Sequence, residues 1–280
     1  MSTVPTACII GWPVKHSRSP RIHRYWLQRY GIAGDYVRHE VAPEAVAGFL
    51  AGFAAGPFIG ANVTVPHKEA AFAALERLDP VASALGAVNT IFFEDGHLVG
   101  ANTDAPGFLA NLDERDPSFR DRNGPAIVLG AGGAARAVIW SLIQRGFAPI
   151  HVVNRTRVRA EALAERFGET VRAAGWEDLA GLLPDAALLV NTTSLGMQGE
   201  APLEIDLEAA ADDLLVTDIV YIPLETPLLA LARARGLSTV DGLGMLLHQA
   251  APGFERWFGR RPEVTEELRA LILADMAAAA

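Results

Sequence analysis

Disulfides, membrane-spanning runs and metal-ligand clusters are all missing from this sequence. Cys8 is the single cysteine among 280 residues, so no intramolecular disulfide can form. It lies in the apolar run Ala7-Cys8-Ile9-Ile10 and reads as a small buried hydrophobe rather than a nucleophile. No stretch approaches the roughly 18 apolar residues of a membrane helix. The first residues show no basic-then-apolar leader pattern, so the expected location is the cytoplasm. Positive charge is also short: 24 Lys and Arg against 33 Asp and Glu give a net charge of −9. That balance argues against general affinity for nucleic acid or anionic membranes, and any anion site must be local. Histidine, cysteine and carboxylates nowhere take metal-ligand spacing, so no metal is expected. What remains is a chain that is 50% hydrophobic and long enough for about two domains, expected as a monomer or homodimer without composition choosing between them.

Strand-like and helix-like patterns alternate along the chain, which predicts an α/β architecture with mainly parallel sheets. Strands are expected over 7–10, 35–40, 58–63, 150–153, 188–191 and 215–219, with a hairpin of 87–94 and 97–100 around Asp95-Gly96. Helices are expected over 21–30, 44–55, 67–75, 134–145, 228–235, 243–258 and 264–274. The polar stretch 113–124, with Pro117, Asn123 and Gly124, reads as a surface connection between domains. Trp12, Trp26 and Trp257 are expected in cores.

The run Val128-Leu129-Gly130-Ala131-Gly132-Gly133-Ala134-Ala135 goes from strand to glycine turn to helix. That order presents backbone N–H groups and a positive helix end to a pyrophosphate. Gly130-x-Gly132-x-x-Ala135 fits the dinucleotide fingerprint with its permitted final Ala. A plain tight turn satisfies the same spacing, so the second strand decides. It ends at Asn154-Arg155-Thr156-Arg157-Val158-Arg159, where an NAD site usually carries an acidic residue for the ribose 2′-hydroxyl. Guanidinium groups there would pair with a 2′-phosphate instead, which selects NADP(H).

The remaining chemistry lies outside this unit. Ser17 and Ser19 alternate in Gly11-Trp12-Pro13-Val14-Lys15-His16-Ser17-Arg18-Ser19-Pro20, and Ser19 is also a plausible helix N-cap. In Asn62-Val63-Thr64-Val65-Pro66, Asn62 and Thr64 share one face of a strand. Lys68 falls in the first turn of a helix, where the macrodipole opposes its charge and a chemical task would explain it. The bland alternative is an exposed lysine paired with Glu69 or Glu76. Asn89-Thr90 and Asn102-Thr103-Asp104 interrupt apolar surroundings, and Asp104 also suits a helix cap near Pro106. Asp241-Gly242 opens an apolar helix that carries Gln249.

In this order the clusters resemble those of the shikimate dehydrogenase family over nearly the whole chain. The matching segments are 11–20, 62–68, 86–90, 102–104, 130–134, 154–156, 191–196, 221–227 and 241–249. The resemblance implies NADPH-dependent, reversible reduction of 3-dehydroshikimate to shikimate, toward the aromatic amino acids. It implies Lys68 and Asp104 as the catalytic pair. Ser17, Ser19, Thr64, Asn89, Asp104 and Gln249 would bind the substrate, with Asn62 and Tyr221 nearby. Gly130, Ala131, Gly132, Gly133 and Ala134 would hold the pyrophosphate, Asn154, Arg155, Thr156 and Arg159 the adenosine phosphate, and Ile219 and Gly242 the surroundings of the nicotinamide. The implied fold is a substrate domain of residues 1–105 completed by 243–280, the C-terminal helices returning to it, and a Rossmann-like NADP-binding domain of 106–242. A quinate/shikimate or aminoshikimate-type dehydrogenase would share these motifs, as would a non-catalytic NADP-binding sensor. Retention of both Lys68 and Asp104 favours an enzyme.

Overall fold

The structure, a computed structural model, describes residues 4–278. Its contacts divide the chain into two units: the first runs to Asp104 and resumes at Leu247, and the second is Ala105–Leu246.

The first unit is built on β1 (Thr6–Gly11), α1 (Ser19–Tyr30), β2 (Asp35–Glu40), α2 (Val46–Ala51), β3 (Phe58–Val63) and α3 (Lys68–Ala74). It continues with β4 (Arg77–Leu78), α4 (Pro80–Leu85) and the hairpin of β5 (Thr90–Glu94) and β6 (His97–Ala101). The sheet order is β2-β1-β3-β5-β6-β4, and β5 alone runs against the others. Asp95 and Gly96 turn the hairpin with φ of 52° and 75°, the two left-handed residues that a right-twisted two-residue turn requires. The helix expected over 44–55 is broken into α2 between two 3₁₀ turns, Pro43–Ala45 and Phe53–Ala55. Gly48 and Gly52 interrupt that pattern, and glycine costs about 1 kcal/mol against alanine inside a helix.

The second unit opens with α5 (Asp104–Arg115), whose first residue belongs to the first unit. It then alternates β7 (Gly124–Leu129), α6 (Gly133–Gln144), β8 (Phe147–Val153), α7 (Arg157–Phe167), β9 (Val171–Ala174), α8 (Leu179–Leu182), β10 (Leu188–Asn191), β11 (Leu215–Asp218), α9 (Pro227–Ala234) and β12 (Ser238–Val240). All six strands are parallel, in the order β12-β11-β10-β7-β8-β9. This is the doubly wound arrangement, with the order reversing between β7 and β10. Apolar clusters fill both faces of the sheet, which explains why its strands read as unbroken hydrophobic runs. The linker expected over 113–124 is not a linker. It lies inside this unit, in the end of α5 and a 3₁₀ turn, Pro117–Asp121, that buries Phe119 completely. Its polar composition hid one large core residue.

The chain returns through α10 (Leu243–Phe258) and α11 (Glu266–Ala278). Phe254 and Trp257 pack with His23, Trp26 and Tyr36, and Trp257 Nε1 donates to the Ile91 carbonyl at 2.9 Å. Trp26 and Trp257 are therefore core, as expected, whereas Trp12 is 49% exposed in the turn after β1. His23 is fully buried and stacked on Tyr36 at 4.0 Å. Burial lowers its pKa to about 3, so the ring stays neutral.

Candidate active site

Lys68 is the first residue of α3 and Asp104 the first of α5. Their side chains meet at 2.5 Å, Nζ to Oδ2, so neither Glu69 nor Glu76 is the partner in this contact. The aspartate is fixed from three sides. Asn89 Nδ2 donates to its other oxygen at 2.8 Å, and its backbone N–H donates to Asn102 Oδ1 at 3.0 Å. Asn102 in turn donates to the Ala87 carbonyl at 3.0 Å. Asn102 thus takes the capping task that the sequence offered to Asp104, which leaves the Asp104 carboxylate for the lysine.

A buried polar network stands behind this pair. Asn89 is 2% exposed; its Oδ1 accepts from Thr103 N at 2.8 Å and Thr90 Oγ1 at 2.9 Å, while Nδ2 also reaches Thr103 Oγ1 at 3.0 Å. Asn62 donates to the Asn89 carbonyl at 3.2 Å and to Thr90 Oγ1 at 3.1 Å, and accepts from Tyr36 O–H at 2.6 Å. A network satisfied at nearly every member is rigid, because any lost partner strands a buried polar group. Lys68 and Asp104 keep 29% and 14% side-chain exposure at its surface. Asn102 and Thr103 belong to a polar cluster marked in the sequence but were given no role of their own, and Tyr36 was not singled out at all. Thr103 and Asn102 adjoin Asp104, but Tyr36 lies 26 positions from Asn62 and carries no local signal.

Ser17 and Ser19 are half-buried and buried, their hydroxyls 3.3 Å apart. Ser19 does not cap α1: Arg18 holds the N-cap position, and no side chain caps that helix. Thr64 follows β3, its N–H donating to the Ile10 carbonyl at 2.9 Å, and Gln249 lies half-buried on α10. Tyr221 belongs to the second unit. Cys8 is buried in β1, and burial raises its thiol pKa, which keeps it protonated and inert.

In the second unit, Gly130 leaves β7 with φ of 101°, a backbone that L side chains rarely adopt. A Cβ there would also lie 2.8 Å from Thr193 Cγ2 and 2.9 Å from Thr192 Oγ1. Gly132 holds the N-cap position of α6 without a side-chain cap; a Cβ at Gly132 or Gly133 would meet nothing within 4 Å. A bare helix end facing open space fits a dinucleotide pyrophosphate. Asn154 folds onto the Thr156 carbonyl at 2.9 Å. Arg157 is engaged by Glu161 and Asp178 at 3.5 and 3.7 Å, while among the described residues Arg155 and Arg159 have no carboxylate partner. The two unpaired guanidinium groups fit a 2′-phosphate. Gly242 packs against the Ile219 backbone too closely for any side chain. Asp218 beside it is fully buried, and burial raises its pKa although Asn191, Thr226 and the Val220 N–H all donate to it.

Three family models match the chain: the shikimate dehydrogenase substrate binding domain over residues 9–91, shikimate / quinate 5-dehydrogenase over 117–218, and the shikimate 5'-dehydrogenase C-terminal domain over 242–272. The NADP(+) shikimate dehydrogenase of Azorhizobium caulinodans is 59% identical over 270 residues, 96% of each chain. The Thermus thermophilus shikimate 5-dehydrogenase, in complex with NADP(H) and shikimate, superposes with a TM-score of 0.86 at 40% identity, covering 96% of this chain and 99% of that one. The quinate dehydrogenase of Corynebacterium glutamicum, in complex with NAD, gives a TM-score of 0.87 at 31% identity, covering 96% and 99%.

Proposed function

The chain belongs to the shikimate dehydrogenase family, and on that premise we propose that it reduces 3-dehydroshikimate reversibly to shikimate with NADPH, using Lys68 and Asp104 as its catalytic pair. The observation that carries this reading is the 2.5 Å contact between Lys68 and an aspartate already anchored by Asn89 and Asn102. Reduction of a ketone develops negative charge on its oxygen, and a positioned cation that also gives a proton answers both needs. Lys68 supplies that proton from Nζ, and in the reverse direction removes it from the hydroxyl. Asp104 keeps the ammonium in place and accepts from a neighbouring substrate hydroxyl. The chemistry that NADPH contributes when bound is hydride transfer to the carbonyl carbon.

Ser17, Ser19, Thr64, Asn89 and Gln249 bind the substrate's carboxylate and hydroxyls, with Asn62 and Tyr221 nearby. Gly130 to Ala134 hold the pyrophosphate at the open end of α6. Asn154, Arg155, Thr156 and Arg159 take the adenosine phosphate, a reading supported by the missing carboxylate partners of the two arginines. Ile219 and Gly242 border the nicotinamide. The first unit is then the substrate domain and the second the NADP domain. The net charge of −9 supports a free small-molecule substrate rather than nucleic acid, and we place the enzyme in the cytoplasm.

The test is the absorbance of reduced nicotinamide, with purified protein, NADP+ or NAD+, and shikimate or quinate. Rapid reduction of NADP+ with shikimate, and little with quinate or with NAD+, is the expected result. Comparable rates with both cofactors would remove the role given to Arg155 and Arg159. Silence with both acids would refute the substrate assignment.

A further inference from the structure

Four arginines of an acidic protein converge on one groove of the first unit. Arg18, Arg21 and Arg24 lie three residues apart, a spacing that puts side chains on one helix face, and they meet Arg38 of β2 there. The groove measures about 430 Å³ and is closed on its other side by α11, through Leu271 and Asp275. Four guanidinium groups and one carboxylate thus line it. Asp275 is shared between Arg18 and Arg21, each at 3.3 Å, and the buried Arg18 Nε makes that contact without hydrogen-bond geometry. Arg24 pairs with Asp35, which is not among the groove's lining residues, at 2.8 Å. Each guanidinium has five N–H donors, so these contacts leave most of the donor capacity unused.

We propose that this groove is a second small-molecule site that takes a phosphate-bearing anion, and that its occupancy weakens substrate binding. Planar forks matching phosphate oxygens two at a time are the chemistry on offer, and a volume of this order suits a small ligand. The uncapped N-terminus of α1, with Arg18 at its N-cap, adds partial positive charge to the rim. Coupling runs through Arg38, whose guanidinium donates to the Ser17 carbonyl, the Nε contact being 3.0 Å. An anion that draws Arg38 toward itself loosens the turn bearing Ser17 and Ser19. This second part rests on the substrate-binding role proposed for those serines; the binding site itself does not.

The probe is inorganic pyrophosphate, titrated calorimetrically into enzyme saturated with NADP+ so that the glycine turn is already filled. Saturable binding is expected, weakened about ten-fold or more in Arg21→Gln and Arg24→Gln, as the loss of charge-assisted bonds predicts. Both variants keep basal activity, since neither residue belongs to the catalytic machinery, and this also shows that they fold. Pyrophosphate should raise KM for shikimate in the wild type and leave it unmoved in the variants. Absent binding, or binding that both variants retain, overturns the site. Equal binding of citrate overturns its preference for phosphate, and binding with an unmoved KM overturns the coupling to Ser17.

Discussion

On the function proposed above, the two units would solve their binding problems with different parts of the polypeptide. In the first, side chains do the work: Lys68 and Asp104 stand on a buried network of Asn62, Asn89, Thr90 and Thr103 whose members satisfy one another. In the second, the backbone does it: Gly130 turns with a positive φ, and Gly132 and Gly133 leave the start of α6 bare. A side-chain site demands particular functional groups at fixed distances, so replacing one removes chemistry. A backbone site demands the absence of side chains, so replacing one glycine adds an obstruction or strain. The same contrast governs rigidity, because a satisfied polar network resists local rearrangement while a glycine turn is held only by its neighbours.

The sharpest way to break this comparison is Lys68→Ala. If the first unit works through its functional groups, kcat falls about 10²- to 10⁴-fold with little change in KM, since the lysine acts mainly on charge that develops in the transition state. Steady-state kinetics in both directions measure it; a rise in KM at unchanged kcat would make Lys68 a binding residue only.

A second prediction probes the buried support of that unit. His23 has its pKa lowered from an ordinary 6.5 to about 3, so between those pH values the unfolded chain binds one proton more than the folded chain. This contribution to stability is complete above pH 6.5 and is lost, at about 1.4 kcal/mol per pH unit, as pH falls toward 3. His23→Phe keeps an aromatic ring against Tyr36 and should flatten that part of the acid-unfolding curve in denaturant titrations. An unchanged slope would place the acid sensitivity elsewhere.

The smallest effect belongs to the backbone site. Gly130→Ala meets Thr192 and Thr193 and forces a side chain into the left-handed region, at a cost of about 1–2 kcal/mol. Thermal unfolding should show that loss, and titration with NADP+ a weaker affinity, with kcat at saturating cofactor nearly unchanged. Equal affinity in the variant would show that the glycine serves only the turn.

The sequence reading of the two sites differed in the same way. The glycine turn was legible because its requirements are local: a strand, three small residues and a helix follow one another between 124 and 144. The Lys68–Asp104 pair spans 36 positions, and each residue alone had an ordinary structural explanation. Only their place in a family order joined them before the fold did. Asn102 shows how the local alternatives resolve: it, and not Asp104, bonds the start of α5. The polar stretch 113–124 misled because composition reports average exposure, whereas Phe119 within it is fully buried in a core cluster of the second unit.

By itself the sequence determined the alternation of strands and helices, the glycine turn between β7 and α6, and the impossibility of an intramolecular disulfide, since these follow from periodicity, glycine and cysteine placement along the chain. Tertiary structure alone decided that Asn89 anchors Asp104, that Tyr36 holds Asn62, that His23 is buried neutral, and that four arginines share one groove. Those outcomes depend on distances between residues far apart in the chain, and such distances are fixed only when sheets and helices pack.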